Sequence, residues 1–211
     1  MEVTKLTKEK QVEILEKTYA NAVPQLNFSS PFELLIAVIL SAQCTDRQVN
    51  KVTPELFSAA DTPEKMLEIG QEKLESIIKS CGFYRSKSKH ILGTCKMLVE
   101  NFNSEVPEKF EDLVKLPGVG RKTANVVSSI AFKVPAIAVD THVFRVANRL
   151  NLAVGKNPLE VELGLQSVIP REKWSDAHHW LIWHGRLVCH ARKPACENCS
   201  LKDFCPSKQS Q

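Results

Sequence analysis

The chain has 211 residues, which is the size of one large domain or two small ones. Apolar residues make up 43% and charged residues 25%, as in a globular protein with a hydrophobic core, so the composition favours a folded protein over a disordered one. The net charge of +4 neither requires nor excludes a nucleic-acid partner. No segment approaches the roughly 20 apolar residues that a membrane helix needs, and the first residues lack the apolar core of a signal peptide. We therefore expect neither a membrane partner nor secretion.

The first half of the chain contains several helix signals. Residues 7–19 have the amphipathic pattern of a surface helix. Ser30 and Pro31 predict the N-cap and first turn of a helix over residues 32–43, which is apolar nearly all round and is therefore expected to be central. A further helix start is predicted at residues 61–64.

The second half continues the helical pattern. A helix start is predicted at residues 106–108, and residues 134–139 (VPAIAV) are the only strand-like run. The proline and the short length of that run predict a buried connection instead of a lone strand. Residues 141–150 place apolar side chains on one helix face, namely Val143, Phe144, Val146, Ala147 and Leu150.

Seven cysteines in a chain without a secretion signal are not expected to form disulfides, because reducing compartments keep thiols free. Four of them have the spacing Cys-x6-Cys-x2-Cys-x5-Cys, whereas structural zinc sites more often combine two Cys-x2-Cys knuckles. Four thiolates wrapped around one centre suit a cubane iron–sulfur cluster, so the spacing favours a cluster, with zinc as the alternative. These four candidate ligands are Cys189, Cys196, Cys199 and Cys205; packing roles are predicted for Cys44, Cys81 and Cys95.

A glycine turn lies in the segment LPGVGRKTA, residues 116–124. Gly118 and Gly120 precede a helical stretch, so backbone N–H groups can point at an anion at a helix N-terminus. The segment is not a Walker loop, because Arg121 replaces the glycine that must precede the lysine, and it lacks the third glycine of a dinucleotide fingerprint. A helix-hairpin-helix turn, which binds phosphate through main-chain amides, remains, with an ordinary helix–helix loop as the alternative.

Lys122 and Asp140 are candidate catalytic residues. A lysine attacks as a nucleophile only after it loses its proton, which burial or nearby positive charge favours, and Arg121 and a helix N-terminus are sources of such charge. The alternatives are a solvated lysine that binds phosphate and an aspartate that caps the helix starting near Thr141. A capping carboxylate can also be catalytic if it faces a cleft.

Four segments together resemble the endonuclease III family of DNA glycosylases and abasic-site lyases in the helix-hairpin-helix superfamily. They are LSAQCTD (40–46), LPGVGRKTA (116–124), VDTHVFR (139–145) and the terminal cysteine motif. The resemblance runs from about residue 27 to residue 205, nearly the whole chain. It implies an all-α protein of two lobes with a DNA cleft between them. One lobe is a six-helix barrel over residues 22–134 with the hairpin at about 113–130; the other combines residues 1–21 with residues 135–211 and contains the cluster loop at 189–205.

The function implied by the resemblance is base excision DNA repair, with removal of oxidised or otherwise damaged pyrimidines and cleavage of the abasic site by β-elimination. Lys122 matches the family's catalytic lysine, which attacks C1′ of a flipped nucleotide and forms a Schiff base. Asp140 matches the catalytic aspartate, which assists departure of the base or helps to deprotonate Lys122; the resemblance does not separate these roles. The implied cofactor is one 4Fe–4S cluster with a structural role. The implied partner is double-stranded DNA with damaged bases or abasic sites, bound by a cytoplasmic, nucleoid-associated monomer.

The resemblance also implies a set of DNA contacts. Gln43 matches an inserted glutamine, and Phe83 stands where the family commonly has an aliphatic wedge, so its aromatic ring departs from the pattern. The alternatives are a polar helix end for Gln43 and a core position for Phe83. The other expected contacts lie on the hairpin, after Asp140 and in the cluster loop: Gly118, Gly120, Arg121, His142, Arg192 and Lys193.

Basic residues concentrate in the segments that the family lays against DNA. Residues 81–100 carry four basic residues and one acidic residue, residues 121–160 carry six and two, and residues 181–211 carry five and two. The modest net charge therefore understates a positive DNA-binding face.

Two other functions compete with this interpretation. A glycosylase without lyase activity is disfavoured by Lys122, because the adenine glycosylase relatives that share the cluster lack a lysine at that position. A non-catalytic helix-hairpin-helix DNA-binding protein is disfavoured by the joint presence of Lys122 and Asp140.

Overall fold

The computed structural model describes residues 4–208, and all regular secondary structure in that range is helical. The prediction of an all-α protein is confirmed. The helices are α1 Lys5–Thr18, α2 Pro31–Ser41, α3 Asp46–Ala59, α4 Pro63–Ile78, α5 Tyr84–Asn101, α6 Phe110–Leu113, α7 Arg121–Ala131, α8 Thr141–Leu150, α9 Pro158–Val168 and α10 Trp174–Leu187. Short 3-10 turns span Arg171–Lys173, Cys196–Asn198 and Lys202–Phe204. None of the helices in this described range is long and apolar enough to cross a membrane.

The helices form two compact units, each with its own hydrophobic core. The first unit is continuous, spans Gln25–Val134 and contains α2 to α7. The second unit is discontinuous in sequence: it combines the chain up to Pro24 with the chain from Pro135 onward, and contains α1 and α8 to α10.

Helix α2 is the centre of the first unit. The Ser30 side chain accepts a hydrogen bond from the Glu33 amide at 3.1 Å, and Pro31 occupies the first turn, where its missing N–H costs nothing. Phe32 and all residues from Leu34 to Leu40 are buried, and the helix packs against α3, α5 and α7. The predicted central helix is confirmed, although it ends at Ser41, two residues earlier than predicted.

Two further helix starts in this unit are predicted from short sequence signals. The start predicted at residues 61–64 is confirmed, with Thr62 as the N-cap of α4. The start predicted at residues 106–108 is wrong, since α6 begins at Phe110 and lasts one turn. Val106 is buried and Lys109 has extended backbone angles, so anchoring of Val106 in the core keeps the chain extended past Pro107.

The second unit is held together by α1 and α8. Thr4 caps α1, and the buried Gln11 donates from Nε2 to the carbonyls of Leu150 and Phe204, each at 2.9 Å. These bonds join α1 to the end of α8 and to the C-terminal segment.

Helix α8 spans Thr141–Leu150, the range predicted from its apolar face. Four of the five apolar side chains expected to point inward are buried, and Phe144 is only half-buried. The strand-like residues 134–139 form an irregular connection that is buried from Ala136 to Val139, as predicted. The ring nitrogen Nδ1 of the buried His178 lies 2.7 Å from the Ala138 carbonyl, which gives this connection a polar partner.

The three scattered cysteines belong to the first unit. Cys81 and Cys95 are fully buried in its core, and Cys44 is partly buried against that core. Their predicted role as packing residues is confirmed.

Candidate functional site

The glycine turn connects α6 to α7 in the first unit. The Val119 amide donates to the Leu116 carbonyl at 3.0 Å, and Gly120 is the N-cap of α7. Helix α5 holds this turn from the side, because the Thr94 hydroxyl donates to the Pro117 carbonyl at 2.7 Å. The structure therefore contains the predicted helix-hairpin-helix connection, with a first helix of one turn.

The two glycines of the turn meet different constraints. Gly118 has φ +77°, and a Cβ atom there would lie 2.8 Å from Cβ of His90, so the fold itself requires glycine. Gly120 has an ordinary φ of −86°. Within the part of the chain that the structure describes, no atom lies within 4 Å of a Cβ placed on Gly120. The fold therefore does not explain the glycine at position 120.

Lys122 lies in the first turn of α7 and is exposed. Arg121 precedes it, and the Arg121 guanidinium lies over the Phe110 ring, with Cζ 5.1 Å from the ring centroid. Lys122 therefore lies at the positive end of the α7 dipole with its side chain open to solvent.

Asp140 is the N-cap of α8, as predicted. Its Oδ1 accepts a hydrogen bond from the Val143 amide at 2.8 Å, and the residue is half-buried. His142 follows in the first turn, and its Nδ1 lies 3.1 Å from a guanidinium nitrogen of Arg145. Lys122 belongs to the first unit and Asp140 to the second.

Gln43 and Phe83 lie on two neighbouring turns of the first unit. A Cβ placed on Gly82 would lie 3.4 Å from the Gln43 carbonyl oxygen, and Gln48 Nε2 donates to the Ser80 hydroxyl at 2.8 Å. This adjacency is not predicted by the sequence, since the two turns are about 40 residues apart.

Both residues also have unusual backbones. Gln43 has φ +51° and Phe83 has φ +58°, in the left-handed region that bulky residues rarely adopt. Phe83 is 67% exposed, so the alternative of a core phenylalanine is wrong. Gln43 is exposed and lies two residues beyond the end of α2. An exposed phenylalanine on a strained backbone is costly for stability and is typical of a functional position.

The four terminal cysteines line one cavity. All four are partly buried, and burial is the main cause that raises the pKa of Cys199 and Cys205, with the neighbouring thiols adding to it. Four thiols around one cavity are the donor set of an iron–sulfur cluster, so the residues present fit that group.

His184 is the histidine nearest to these thiols. Its Nδ1 lies 3.0 Å from the Tyr19 hydroxyl, and its Nε2 lies 3.7 Å from Cys199 Sγ. Burial lowers the pKa of His184 to about 4 and raises that of Tyr19 to about 12. The histidine is therefore neutral at physiological pH and forms part of the cavity wall.

Two arginines that the sequence analysis missed hold the segment that begins at Cys189. The guanidinium of Arg149 donates to Cys189 Sγ at 3.4 Å and to the carbonyls of His190 at 2.6 Å and Ala191 at 3.0 Å. Arg145 donates from Nε to the Cys189 carbonyl at 3.1 Å. In the sequence these arginines look like ordinary charged residues on the polar face of α8, so no local signal identified them.

Arg192 and Lys193 lie in the loop between the first two cysteines and are both exposed. The loop backbone is fixed by Arg149 on one side and by the buried Pro194 on the other. Its two basic side chains are therefore presented to solvent by a constrained loop.

Comparison with known families agrees with these features. Residues 36–171 match the model of the HhH-GPD superfamily of base excision DNA repair proteins, and residues 189–205 match the iron–sulfur binding domain of endonuclease III. The endonuclease III of Escherichia coli strain K12 is 53% identical over 207 residues, which cover 97% of this chain and 98% of that protein. The chain belongs to the endonuclease III family. It is therefore a base excision repair enzyme with DNA glycosylase and abasic-site lyase activity, it binds DNA, and it carries an iron–sulfur cluster.

Other members of the endonuclease III family give the same result. The Bacillus subtilis protein is 50% identical over 194 residues, 92% of this chain and 89% of that protein. A solved structure of a trapped covalent intermediate between endonuclease III and DNA has a TM-score of 0.94 and 48% identity, with 98% of each chain covered. A thermostable thymine-DNA glycosylase, at 23% identity and a TM-score of 0.88, shares the fold.

The role of Arg149 can be tested by replacing it with methionine, which keeps most of the side-chain volume and removes all three bonds to the cysteine loop. We expect faster loss of the iron–sulfur cluster, measured as the decay of visible absorbance in the presence of a chelator. Arg192→Met is the matched control, since it removes the same charge from within the loop. If both variants lost the cluster equally fast, and faster than the wild type, the positive charge and not the three hydrogen bonds would be what retains it.

Proposed function

We propose that Lys122 and Asp140 are the catalytic residues of this enzyme and that its substrates are oxidised or otherwise damaged pyrimidines in duplex DNA. The observation that carries this proposal is the exposed Lys122 amine in the first turn of α7, directly after a glycine hairpin. The family membership supplies the reaction, and the hairpin supplies a place where a DNA backbone can lie beside the amine.

Lys122 is the proposed nucleophile. The deprotonated Nζ attacks C1′ of the flipped nucleotide, the bond between C1′ and the base breaks, and the damaged base leaves. The nitrogen loses one proton, its lone pair forms the C1′=N bond as the C1′–O4′ bond of the sugar ring breaks, and O4′ takes a proton, which gives a protonated Schiff base. Removal of a 2′ proton then breaks the C3′–O bond, which cuts the strand 3′ to the lesion by β-elimination.

Asp140 is proposed to stabilise the positive charge that develops on the sugar as the base departs. Its hydrogen bond from the Val143 amide engages Oδ1, so the carboxylate is oriented by the helix that it caps. The other oxygen, Oδ2, is the one proposed to face the sugar. The same carboxylate is a candidate acceptor for a Lys122 proton.

Gly120 is proposed to touch a DNA phosphate. A glycine that the fold does not need is explained if another molecule must approach the backbone closely, and a phosphate at the N-terminus of α7 would do so. Arg121 adds positive charge at the same point. Gly118 is proposed to act indirectly, because it shapes the turn.

Gln43 and Phe83 are proposed to enter the duplex when the target nucleotide leaves it. Flipping a base costs stacking and pairing energy, which inserted side chains partly recover. The two side chains lie on adjacent turns and are exposed, as such a role requires. His142, beside Asp140, is proposed to contact DNA as well.

The four terminal cysteines are proposed to be the ligands of one 4Fe–4S cluster. When bound, the cluster supplies a structural clip that fixes the loop between its first two ligands. Arg192 and Lys193 on that loop are proposed to contact DNA phosphates.

The remaining proposals concern the setting of the reaction. We place the enzyme in the cytoplasm of a bacterial-type cell, where it meets the nucleoid, and expect it to act as a monomer on double-stranded DNA with damaged bases or abasic sites.

Substitution of the catalytic residues tests the mechanism. With abasic duplex DNA and borohydride, the wild-type protein should form a covalent adduct that Lys122→Gln cannot form. Asp140→Asn should keep the melting temperature, because asparagine and aspartate cap helices equally well, and yet lower base release by about 10²-fold or more. An active wild-type enzyme that gives no adduct would indicate a glycosylase without lyase activity, and full activity of Asp140→Asn would exclude the proposed role of the carboxylate.

Alanine should affect stability at one hairpin glycine and DNA binding at the other. Gly118→Ala should destabilise the protein by roughly 1–3 kcal/mol, because of its positive φ and the contact with His90. Gly120→Ala should leave the stability within about 0.5 kcal/mol of the wild type and weaken binding to damaged and undamaged duplexes alike. Thermal unfolding and DNA titrations at one fixed salt concentration measure both effects. Unchanged DNA affinity of Gly120→Ala would contradict the phosphate contact.

Phe83→Gly should slow excision without lowering the stability of the protein. Glycine removes the strain at φ +58°, so the free energy of unfolding should stay unchanged or rise by up to ~1 kcal/mol. Excision of a lesion in a fully paired duplex should nevertheless slow, with a smaller effect when the lesion lies opposite an abasic site and is already poorly stacked. An equal loss on both duplexes would argue against insertion of Phe83.

A further inference from the structure

Three reactive side chains lie next to the turns that carry Gln43 and Phe83. The proposed repair reaction does not use them. Cys44 directly follows Gln43, and Cys81 lies two residues before Phe83. The third member is Lys87, in the first turns of α5. Cys81 is fully buried, Lys87 is 4% exposed, and Cys44 is only partly buried, so a small molecule in solution can reach Cys44 first.

The segments that carry the two thiols pack against each other. Gln48 Nε2 donates to the Ser80 hydroxyl at 2.8 Å, and a Cβ placed on Gly82 would lie 3.4 Å from the Gln43 carbonyl oxygen. Cys44 and Cys81 each directly adjoin one partner of that close approach, and the Cys44 thiol contributes, after burial, to the raised pKa of Cys81. The proximity of the two cysteines therefore follows from the packing of the unit.

Lys87 adds a buried positive charge to this pair. Its Nζ donates to the Leu40 carbonyl at 2.8 Å, and its charge interacts with both sulfur atoms. Burial raises the pKa of Cys81 to about 11, and the Lys87 charge opposes that effect. A buried ammonium group beside two thiols stabilises a thiolate when one forms.

We propose that Cys44 and Cys81 are a redox modification site, at which a peroxide converts the two thiols into a reversible disulfide that joins the turns carrying Gln43 and Phe83. Transient disulfides of this kind are the ones found in reducing compartments, where they act in sensing. The disulfide is inferred from the close approach of the two cysteine-bearing segments, whereas its effect on repair rests on the insertion roles proposed for Gln43 and Phe83.

The chemistry requires one peroxide molecule per disulfide. The Cys44 thiolate attacks one peroxide oxygen, the O–O bond breaks, and the departing hydroxide takes a proton to become water, which leaves a sulfenic acid on Cys44. The Cys81 sulfur then attacks Sγ of Cys44, the S–O bond breaks, and the hydroxide leaves with the Cys81 proton as a second water. Two thiols are oxidised by two electrons in total, and the peroxide is reduced to two waters.

Disulfide formation should restrict the two turns. The bond joins the backbones at residues 44 and 81 covalently and holds their Cα atoms within the narrow range that disulfide geometry allows. Because Gln43 is adjacent to Cys44 and only Gly82 separates Cys81 from Phe83, this restraint limits the movement of both side chains. We expect the oxidised enzyme to excise paired lesions several-fold more slowly than the reduced enzyme.

The test uses the full-length protein with its cluster bound, treated with graded hydrogen peroxide while visible absorbance follows the cluster. Under conditions that leave this absorbance unchanged, the intact mass should fall by two hydrogen atoms, and peptide mapping should recover one pair of peptides linked through Cys44 and Cys81. Excision of a lesion from a paired duplex should slow in parallel, and dithiothreitol should restore both the mass and the rate.

Three single variants sharpen the test. Cys44→Ala and Cys81→Ala should excise lesions at the rate of the untreated wild-type enzyme, and peroxide should not slow them. Cys95→Ala removes another buried cysteine of the same core and should respond to peroxide like the wild type. Peroxide inhibition of Cys44→Ala with an intact cluster signal would overturn the regulatory part of the proposal.

The two parts of the proposal fail separately. Absence of the linked peptides would overturn the proposed disulfide. So would a different oxidation product, such as an oxygen atom that bridges the Lys87 nitrogen and the Cys44 sulfur. A disulfide that forms without change in the excision rate would overturn its effect on repair. A reduced protein that excises no lesion would count against the proposed function and would leave the mapped disulfide standing.

Discussion

The first unit depends on one close backbone approach, the packing of the Gly118 turn against α5. The left-handed Gly118 lies where a Cβ atom would meet His90, and the Thr94 hydroxyl holds the neighbouring Pro117 carbonyl. These contacts fix where α7 begins. Its N-cap is Gly120, which has no side chain to cap the first amides of the helix, as the proposed phosphate contact requires. Lys122 lies one residue inside that end, so the constraint that shapes the turn also positions the amine.

In the second unit, helix α8 connects the hydrophobic core, the proposed catalytic aspartate and the first cysteine of the terminal motif. Its apolar face fills the core, Asp140 caps its N-terminus, and Arg145 and Arg149 on its other face hold the segment that begins at Cys189. The cap and the two arginines share one rigid ten-residue helix. The distance between the proposed catalytic carboxylate and the segment that begins at Cys189 is therefore fixed by helix geometry, and loss of that segment would remove hydrogen-bond partners of the same helix that carries Asp140.

The features that the sequence predicted are those with local causes. Ser30 with Pro31, Thr62 with Pro63, and Asp140 each start a helix through contacts within one turn, so a short stretch of sequence contains the whole signal. The failures depend on contacts between distant segments. Burial of Val106 in the core delays α6, and the bonds from Arg149 reach a segment about 40 residues away. The exposure of Lys122 and the adjacency of Gln43 to Gly82 are likewise set by tertiary packing, which periodicity and spacing do not report.

The strain at Gln43 and Phe83 gives the clearest indication of function in the first unit. A non-glycine residue at positive φ costs of order 1 kcal/mol, and an exposed phenylalanine recovers little of it through burial. Glycine at either position would remove the cost, and the proposed insertion into DNA is a requirement for side chains that would outweigh it. Two such residues on touching turns make that requirement a joint one, because displacing one turn disturbs the other. Cys44 and Cys81 adjoin these two turns, so a covalent bond between them would act on both side chains together.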